Sequence, residues 1–163
     1  MDAIDRLLEH DRWATGRLLE LSRSLTDEHL DRQFDIGHRT LRATYEHLIF
    51  IVEFWTRLAR GQSIEEFDRA DATIDGLSRR HERVYDDFAA LARQMRDEGR
   101  LDDTFVDHWG ERMTFGGVIM HVILHNAEHR TEAVHILHRL DAPGLPEEVE
   151  VDHGLWDLTE RSA

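Results

Sequence analysis

Apolar residues recur every three or four positions along two stretches in the first part of the chain, which is the spacing of one helical face. The stretch 2–25 forms such a stripe, interrupted only by Asp11. The stretch 40–60 forms another, with its charged side chains on the opposite face, and Gly61 follows it as a natural stop just past a helix. Two helices are therefore predicted, joined by a polar connection.

Two further stripes occupy the second part of the chain. Residues 71–98 show the most regular helical spacing, with apolar positions alternately three and four apart. The last stripe begins at Thr114 or Phe115 and ends near Leu140, and both prolines of the chain lie beyond it. Between these helices, residues 100–114 alternate briefly around a Trp-Gly pair. This pattern is compatible with a short hairpin or an irregular crossover.

Four amphipathic helices with no internal repeat and no convincing sheet pattern are typical of an all-α four-helix bundle. The longer irregular crossover is then expected between helices three and four. A length of 163 residues fits one domain, so we expect residues 1–163 to form a single unit. The acidic and partly apolar tail, 141–163, is expected to pack on the bundle as a short flap.

Charge and cysteine content exclude several classes of function. The formal net charge of −14 repels nucleic-acid phosphates and anionic lipids, so we expect neither nucleic acid nor a membrane as a partner. Apolar runs are too short for a membrane span and the first residues are unlike a secretory signal, which predicts a cytoplasmic protein. The chain has no cysteine. Any thiol that takes part in its chemistry must therefore come from outside.

Histidines are concentrated in the last predicted helix, where five of them fall within residues 121–138. Because a helix advances by about 100° per residue, positions four apart drift by only about 40°, and His121, His125 and His129 share one face. Two histidines four apart supply a chelating pair for a divalent metal ion. The third ligand must then come from another helix.

A buried imidazole has a second explanation, because a histidine can also sit in a core with its ring bonded to a backbone carbonyl. This is the favoured interpretation for His81, which lies in the third stripe. Two unpartnered buried imidazoles would each cost about 1–3 kcal/mol, and a shared cation removes that cost for both. The zincin motif is absent because Asn126 follows His125, and only one Glu-x-x-His helix is present for a di-iron site. A single mononuclear site fits better.

The order of these features resembles the DinB/YfiT-like family over nearly the whole chain. Its first helix is similar to EHDRWATGRLLEL, its second to TLRATYEHLIFIVEFWTRLARG and its last to HVILHNAEHRTEAVHILHRL. The resemblance implies one divalent metal ion, nickel or zinc, held by His47, His125 and His129. Periodicity alone places His47 only at the edge of the inner side of its helix. The resemblance also implies homodimers and, from several relatives, the transfer of low-molecular-weight thiols to electrophiles.

One departure from the family pattern concerns Glu132. The family motif often ends in His-Arg-Gly-Gln, whereas this chain has a glutamate at the last of these four positions. Glu132 shares the face of His125 and His129, so it can hold the ring proton of a ligand, act as a base or add a ligand; a salt bridge elsewhere is the alternative. His121 is the second candidate catalytic residue, with a packing role as its alternative.

Three histidines on a divalent ion leave positions open for water or substrate, and a bound thiol or water loses its proton more easily. The first hypothesis is therefore a metal-dependent transferase that activates a low-molecular-weight thiol and delivers it to a small electrophilic substrate. The second is a metal-dependent hydrolase, in which Glu132 or His121 moves the proton. The third is a non-catalytic, stress-related protein in which the ion only joins two helices.

Overall fold

Four long helices carry most of the residues described by the computed structural model, which are 1–64 and 70–159. The elements in chain order are α1 (Ala3–Leu21), α2 (Asp27–Asp31), α3 (Leu41–Ala59), α4 (Ile74–Asp97), β1 (Thr104–Val106), β2 (Arg112–Thr114), α5 (Phe115–Leu140) and α6 (His153–Thr159). This mostly helical fold confirms the all-α class. Within these two ranges, no helix is both long enough and apolar enough to cross a membrane.

Each long helix begins at a side-chain cap. The caps are Asp2, Thr40, Thr73 and Thr114, whose side-chain oxygens accept hydrogen bonds from backbone N–H groups in the first turn. Such a cap satisfies a donor that has no partner inside the helix and contributes about 1 kcal/mol. The predicted bounds of α3 and α5 agree with the structure because a threonine cap stands at each start.

The long helices pack in a pattern that makes α3 and α5 neighbours. α1 packs against α4 and α5, and α3 packs against the same two helices. The core between them holds large side chains that are almost completely buried, among them Leu18, Tyr45, Leu48, Phe88 and Ile136. The shared α3–α5 surface is the one that bears the histidines.

Three predicted details differ from the structure. The first helix ends at Leu21, because Ser22–Ser24 form a tighter turn in which the Ser22 hydroxyl donates to the Leu18 carbonyl at 2.9 Å. The crossover is not irregular throughout, since β1 and β2 form an antiparallel hairpin in which Phe105 pairs with Met113. The short helices α2 and α6 were not predicted, because five and seven residues are too few to show a helical period.

The buried side of α5 also differs from the predicted stripe. Val118, Val122, Ile136 and Leu140 are buried as expected. In the middle of the helix, however, the buried positions are Asn126, Arg130 and Ala133, while His125 and His129 are half-buried. The two histidines therefore lie at the flank of the core, on the side of α5 that faces α3, and not in its centre.

Candidate metal centre

Three imidazoles meet where α3 packs against α5. The ring centroid of His47, on α3, lies 5.1 Å from that of His125 and 4.6 Å from that of His129, both on α5. The His125 and His129 centroids are 4.4 Å apart. The structure thus brings together the three histidines that the resemblance implied. His47 precedes the two α5 histidines by at least 78 residues in the sequence.

The distance between two ring nitrogens of this group fits a shared ion. The Nε2 atoms of His47 and His125 face each other at 3.4 Å. Two nitrogens bound at about 2.0–2.1 Å to one tetrahedral zinc ion would lie about 3.4 Å apart. The two ring nitrogens therefore already have the separation that coordination of one ion requires.

A fourth imidazole, His38, belongs to the same cluster and was missed by the sequence interpretation. Its ring centroid lies 3.9 Å from that of His47 and 4.9 Å from that of His129. One ligand atom from each of His38, His47 and His129 lies within 4.8 Å of the others, so among the described residues these three form the group that could hold a metal ion, and His125 is not part of it. The only local signal was the glycine that precedes His38 in a polar connection.

The loop that carries His38 is fixed by its backbone. Gly37 has φ +46° and Arg39 has φ +72°, both in the left-handed region that favours glycine. The Phe34 N–H donates to the Arg39 carbonyl at 2.7 Å and closes the loop. A Cβ atom at Gly37 would overlap the carboxylate of Glu132, so a side chain at this position would require the Glu132 carboxylate to move.

Glu132 lies directly beside the cluster. Its Oε2 accepts a hydrogen bond from Nδ1 of His129 at 2.7 Å, and both side chains are half-buried. With the proton held on Nδ1, the Nε2 lone pair of His129 is free to bind a cation. This is one of the roles that the sequence left open for Glu132, holding the ring proton of a ligand.

His121 lies at the edge of the cluster. Its side chain is exposed, and its ring centroid lies 5.5 Å from that of His125 and 5.3 Å from the buried indole of Trp55. The residue is therefore close to the candidate site but open to solvent.

Two histidines of the cluster, His125 and His38, have lowered pKa values, which keeps them in the neutral form that binds metal. Burial, followed by the nearby rings of His129 and His121, lowers the pKa of His125 to about 4. Burial likewise lowers the pKa of His38, and His129 adds to this effect while Glu132 opposes it. Among the described residues, the buried Nδ1 of His125 has no hydrogen-bond partner. Neutral imidazoles are the donors that a divalent ion requires, and the nitrogen of His125 that faces His47 is Nε2.

Other histidines have structural roles. His81 is buried, and its Nε2 donates to the Arg12 carbonyl at 3.1 Å, which confirms the prediction of a core histidine. His10 is half-buried, and its Nε2 bonds to the Val151 carbonyl at 2.9 Å. This contact holds part of the C-terminal tail against α1, so the described part of the tail, 141–159, packs on the helices as a flap.

A family comparison agrees with the fold. The model of the DinB superfamily matches residues 10–133 of this chain, a range that includes all four clustered histidines and Glu132. A mostly helical chain with imidazoles gathered between two of its helices thus belongs to the DinB superfamily. No curated relative matches the chain.

Proposed function

We propose that the chain binds one divalent metal ion, nickel or zinc, on a four-helix-bundle scaffold and acts as a metal-dependent transferase for a low-molecular-weight thiol. The observation that carries the metal site is the convergence of imidazoles from α3 and α5, with the Nε2 atoms of His47 and His125 3.4 Å apart. Nitrogen donors of this kind suit zinc and nickel. The thiol must be exogenous because the chain has no cysteine.

The ligands that we propose are His47, His125 and His129. His38 lies close enough to His47 and His129 to act as a fourth ligand from the loop before α3. A three-histidine site leaves a position open for substrate, whereas a fourth imidazole would occupy it until a stronger ligand arrives. We therefore propose that His38 occupies the position that the thiol takes.

The residues around the cluster support thiol activation. A bound divalent ion would lower the pKa of a thiol or water molecule at the open position. Glu132 holds the Nδ1 proton of His129 and fixes the orientation of that ring. The exposed ring of His121, next to His125, is placed to accept the proton that an incoming thiol releases.

The test is a conjugation assay on untagged protein, prepared metal-free and then loaded with zinc or nickel. A panel of small thiols and electrophiles should show turnover in the loaded protein that is absent from the metal-free protein and from His129→Ala. Absence of metal-dependent turnover with every thiol would remove the transferase proposal. The cytoplasmic location, the homodimer and the small-molecule substrate remain predictions.

A hydrolase is the second candidate, and the carboxylate of Glu132 beside the cluster is the observation that favours it. In this case Glu132 or His121 would accept the proton of an attacking water molecule. Metal-dependent hydrolysis of model esters or amides without added thiol would support this candidate over the transferase. If chelation lowers the melting temperature and neither activity is found, the third hypothesis, a non-catalytic metal-binding protein, gains support.

A further inference from the structure

A buried polar cluster anchors the side of α5 that faces away from the histidines. At its centre is Asp11 of α1, the residue that interrupts the first apolar stripe, which is 0% exposed. Asp11 forms an ion pair with Arg130 and accepts hydrogen bonds from the Tyr85 hydroxyl at 2.8 Å and from Nδ2 of Asn126 at 3.1 Å. The carboxylate of Asp11 thus receives two contacts from α5 and one from α4.

Along α5, the two residues that contact Asp11 alternate with the two candidate metal ligands. Asn126 directly follows His125, and Arg130 directly follows His129. Adjacent residues are about 100° apart around a helix axis, so the two pairs project from different sides of the same two turns. A rotation of α5 that moved the histidines away from α3 would also separate Asn126 and Arg130 from Asp11.

Stability alone does not explain a carboxylate at this position. Desolvating an ion pair costs several kcal/mol per ion, and replacing a buried pair by apolar side chains is often neutral or stabilising. Apolar side chains, however, slide and rotate past one another more easily than an ion pair with fixed hydrogen bonds. What the pair adds is a defined geometry between α1 and α5.

We propose that Asp11 is a positioning residue that holds α5 at the rotation which directs His125 and His129 toward His47. This inference rests on the proposed metal site. Asp11 does not touch the histidines and acts only through Asn126 and Arg130. Its removal should therefore change metal affinity and coordination more than the accompanying loss of stability explains.

The chain offers a matched control in Glu53. Its carboxylate accepts from Nη2 of Arg80 at 2.7 Å, and the two side chains are 5% and 8% exposed. This ion pair links α3 to α4. Glu53 follows His47 by six residues, about 240° around the helix, so it lies on a different side of α3 from the cluster.

The experiment compares the untagged full chain with Asp11→Asn and Glu53→Gln, all metal-free, in titrations with Co²⁺. Asparagine keeps the shape of Asp11 but leaves Arg130 without its counter-charge. We expect Asp11→Asn to bind Co²⁺ at least tenfold more weakly and to shift its visible absorption band. Glu53→Gln, with a comparable loss of stability, should stay within about threefold of the unmodified affinity; a tenfold change is about 1.4 kcal/mol.

The outcomes separate the two proposals. If the unmodified chain does not bind Co²⁺, the proposed metal site fails. If it binds, the positioning role is overturned either by an unchanged affinity and band in Asp11→Asn or by equal weakening in both variants. Should Asp11→Asn not fold, Asn126→Ala removes a single α5 contact with Asp11; a weakening of more than about threefold, beyond that of Glu53→Gln, supports the role, and a change within about threefold overturns it.

Discussion

His129 and Glu132 form a hydrogen-bonded pair on α5, in which the Nδ1 proton of the imidazole is held by the carboxylate at 2.7 Å. The same carboxylate lies where a side chain on Gly37 would have to be. One acidic residue thus fixes the orientation of a candidate metal ligand and also seats the loop that carries His38. Glu132, the residue at which this chain departs from the family pattern, therefore helps to set the geometry of the candidate site.

The first prediction concerns Glu132→Gln. Glutamine keeps the size of the side chain and its contact with the loop, but it removes the charge that strengthens the hydrogen bond to His129. Loss of such a partner typically weakens metal binding by about 10–100-fold, so we expect this range with one ion still bound per chain. Competition with a chelating dye measures the affinity. Glu128→Gln makes the same charge change on α5, near enough to act on His125, but it removes no hydrogen bond to a proposed ligand and should weaken binding less; equal affinities in all three proteins would contradict this role.

The second prediction concerns the ligands themselves. His125→Ala or His129→Ala should abolish stoichiometric metal binding, because each removes a nitrogen from the cluster. His138→Ala should retain the ion, since its Nε2 instead accepts a hydrogen bond from the Val149 N–H at 3.1 Å. Elemental analysis of the three purified variants decides the matter. Equal metal content in all of them would show that the ligands are misassigned.

The third prediction concerns Gly37→Ala, with Gly61→Ala as its control. Both glycines have positive φ, +46° and +67°, and an alanine in this region costs about 1–2 kcal/mol. At Gly61 an added Cβ meets no atom within 4 Å, whereas at Gly37 it meets Glu132. Gly37→Ala should therefore be the more destabilising change in denaturant unfolding, and it alone should weaken metal binding. If the two variants had the same stability and the same metal affinity, the loop would not depend on contact with Glu132.

The fourth prediction concerns pH. The pKa of His125 falls from 6.5 to about 4 on folding, so below pH 6.5 the unfolded chain takes up a proton that the folded chain does not. The free energy of unfolding of the metal-free protein should therefore decrease as the pH falls from 6.5 to about 4. The lowered pKa values of His38 and His81 act in the same direction.

Denaturant unfolding across this window measures the effect, and His125→Gln should reduce its slope. The lowered pKa of Asp5, about 2, weakens folding only at more acidic pH and so falls outside the window. A bound ion should be released as the pH approaches the pKa of His125, about 4, because its ligands must be neutral. Stability that stays constant between pH 6.5 and pH 4 would contradict the interpretation of a neutral, buried His125.

Local patterns in the sequence predicted the long helices and half of the site. The threonine caps and the helical spacing are local properties, so the bounds of α3 and α5 could be read directly. The spacing of four between His125 and His129 likewise places both rings on one side of a helix whatever the helix packs against. His47 could be placed at the site only through the family resemblance.

The parts that could not be predicted depend on contacts between distant residues. His38 reaches the cluster because the left-handed Gly37 lets a loop approach Glu132, more than ninety residues later in the chain. The half-buried position of His125 follows from Asn126 and Arg130, which turn inward because Asp11 of α1 binds them. A pattern of apolar positions assigns an arginine to the surface, because it contains no information about a buried partner on another helix.

The central claim is that imidazoles from α3 and α5 bind one ion, and X-ray absorption on untagged, zinc-loaded protein tests it most directly. The account predicts one zinc per chain with at least three nitrogen neighbours at about 2.0–2.1 Å and the outer-shell scattering of imidazole rings. His38→Ala should lose one of these neighbours if the loop histidine is bound. Zinc that is substoichiometric, or surrounded only by oxygen, would contradict the account.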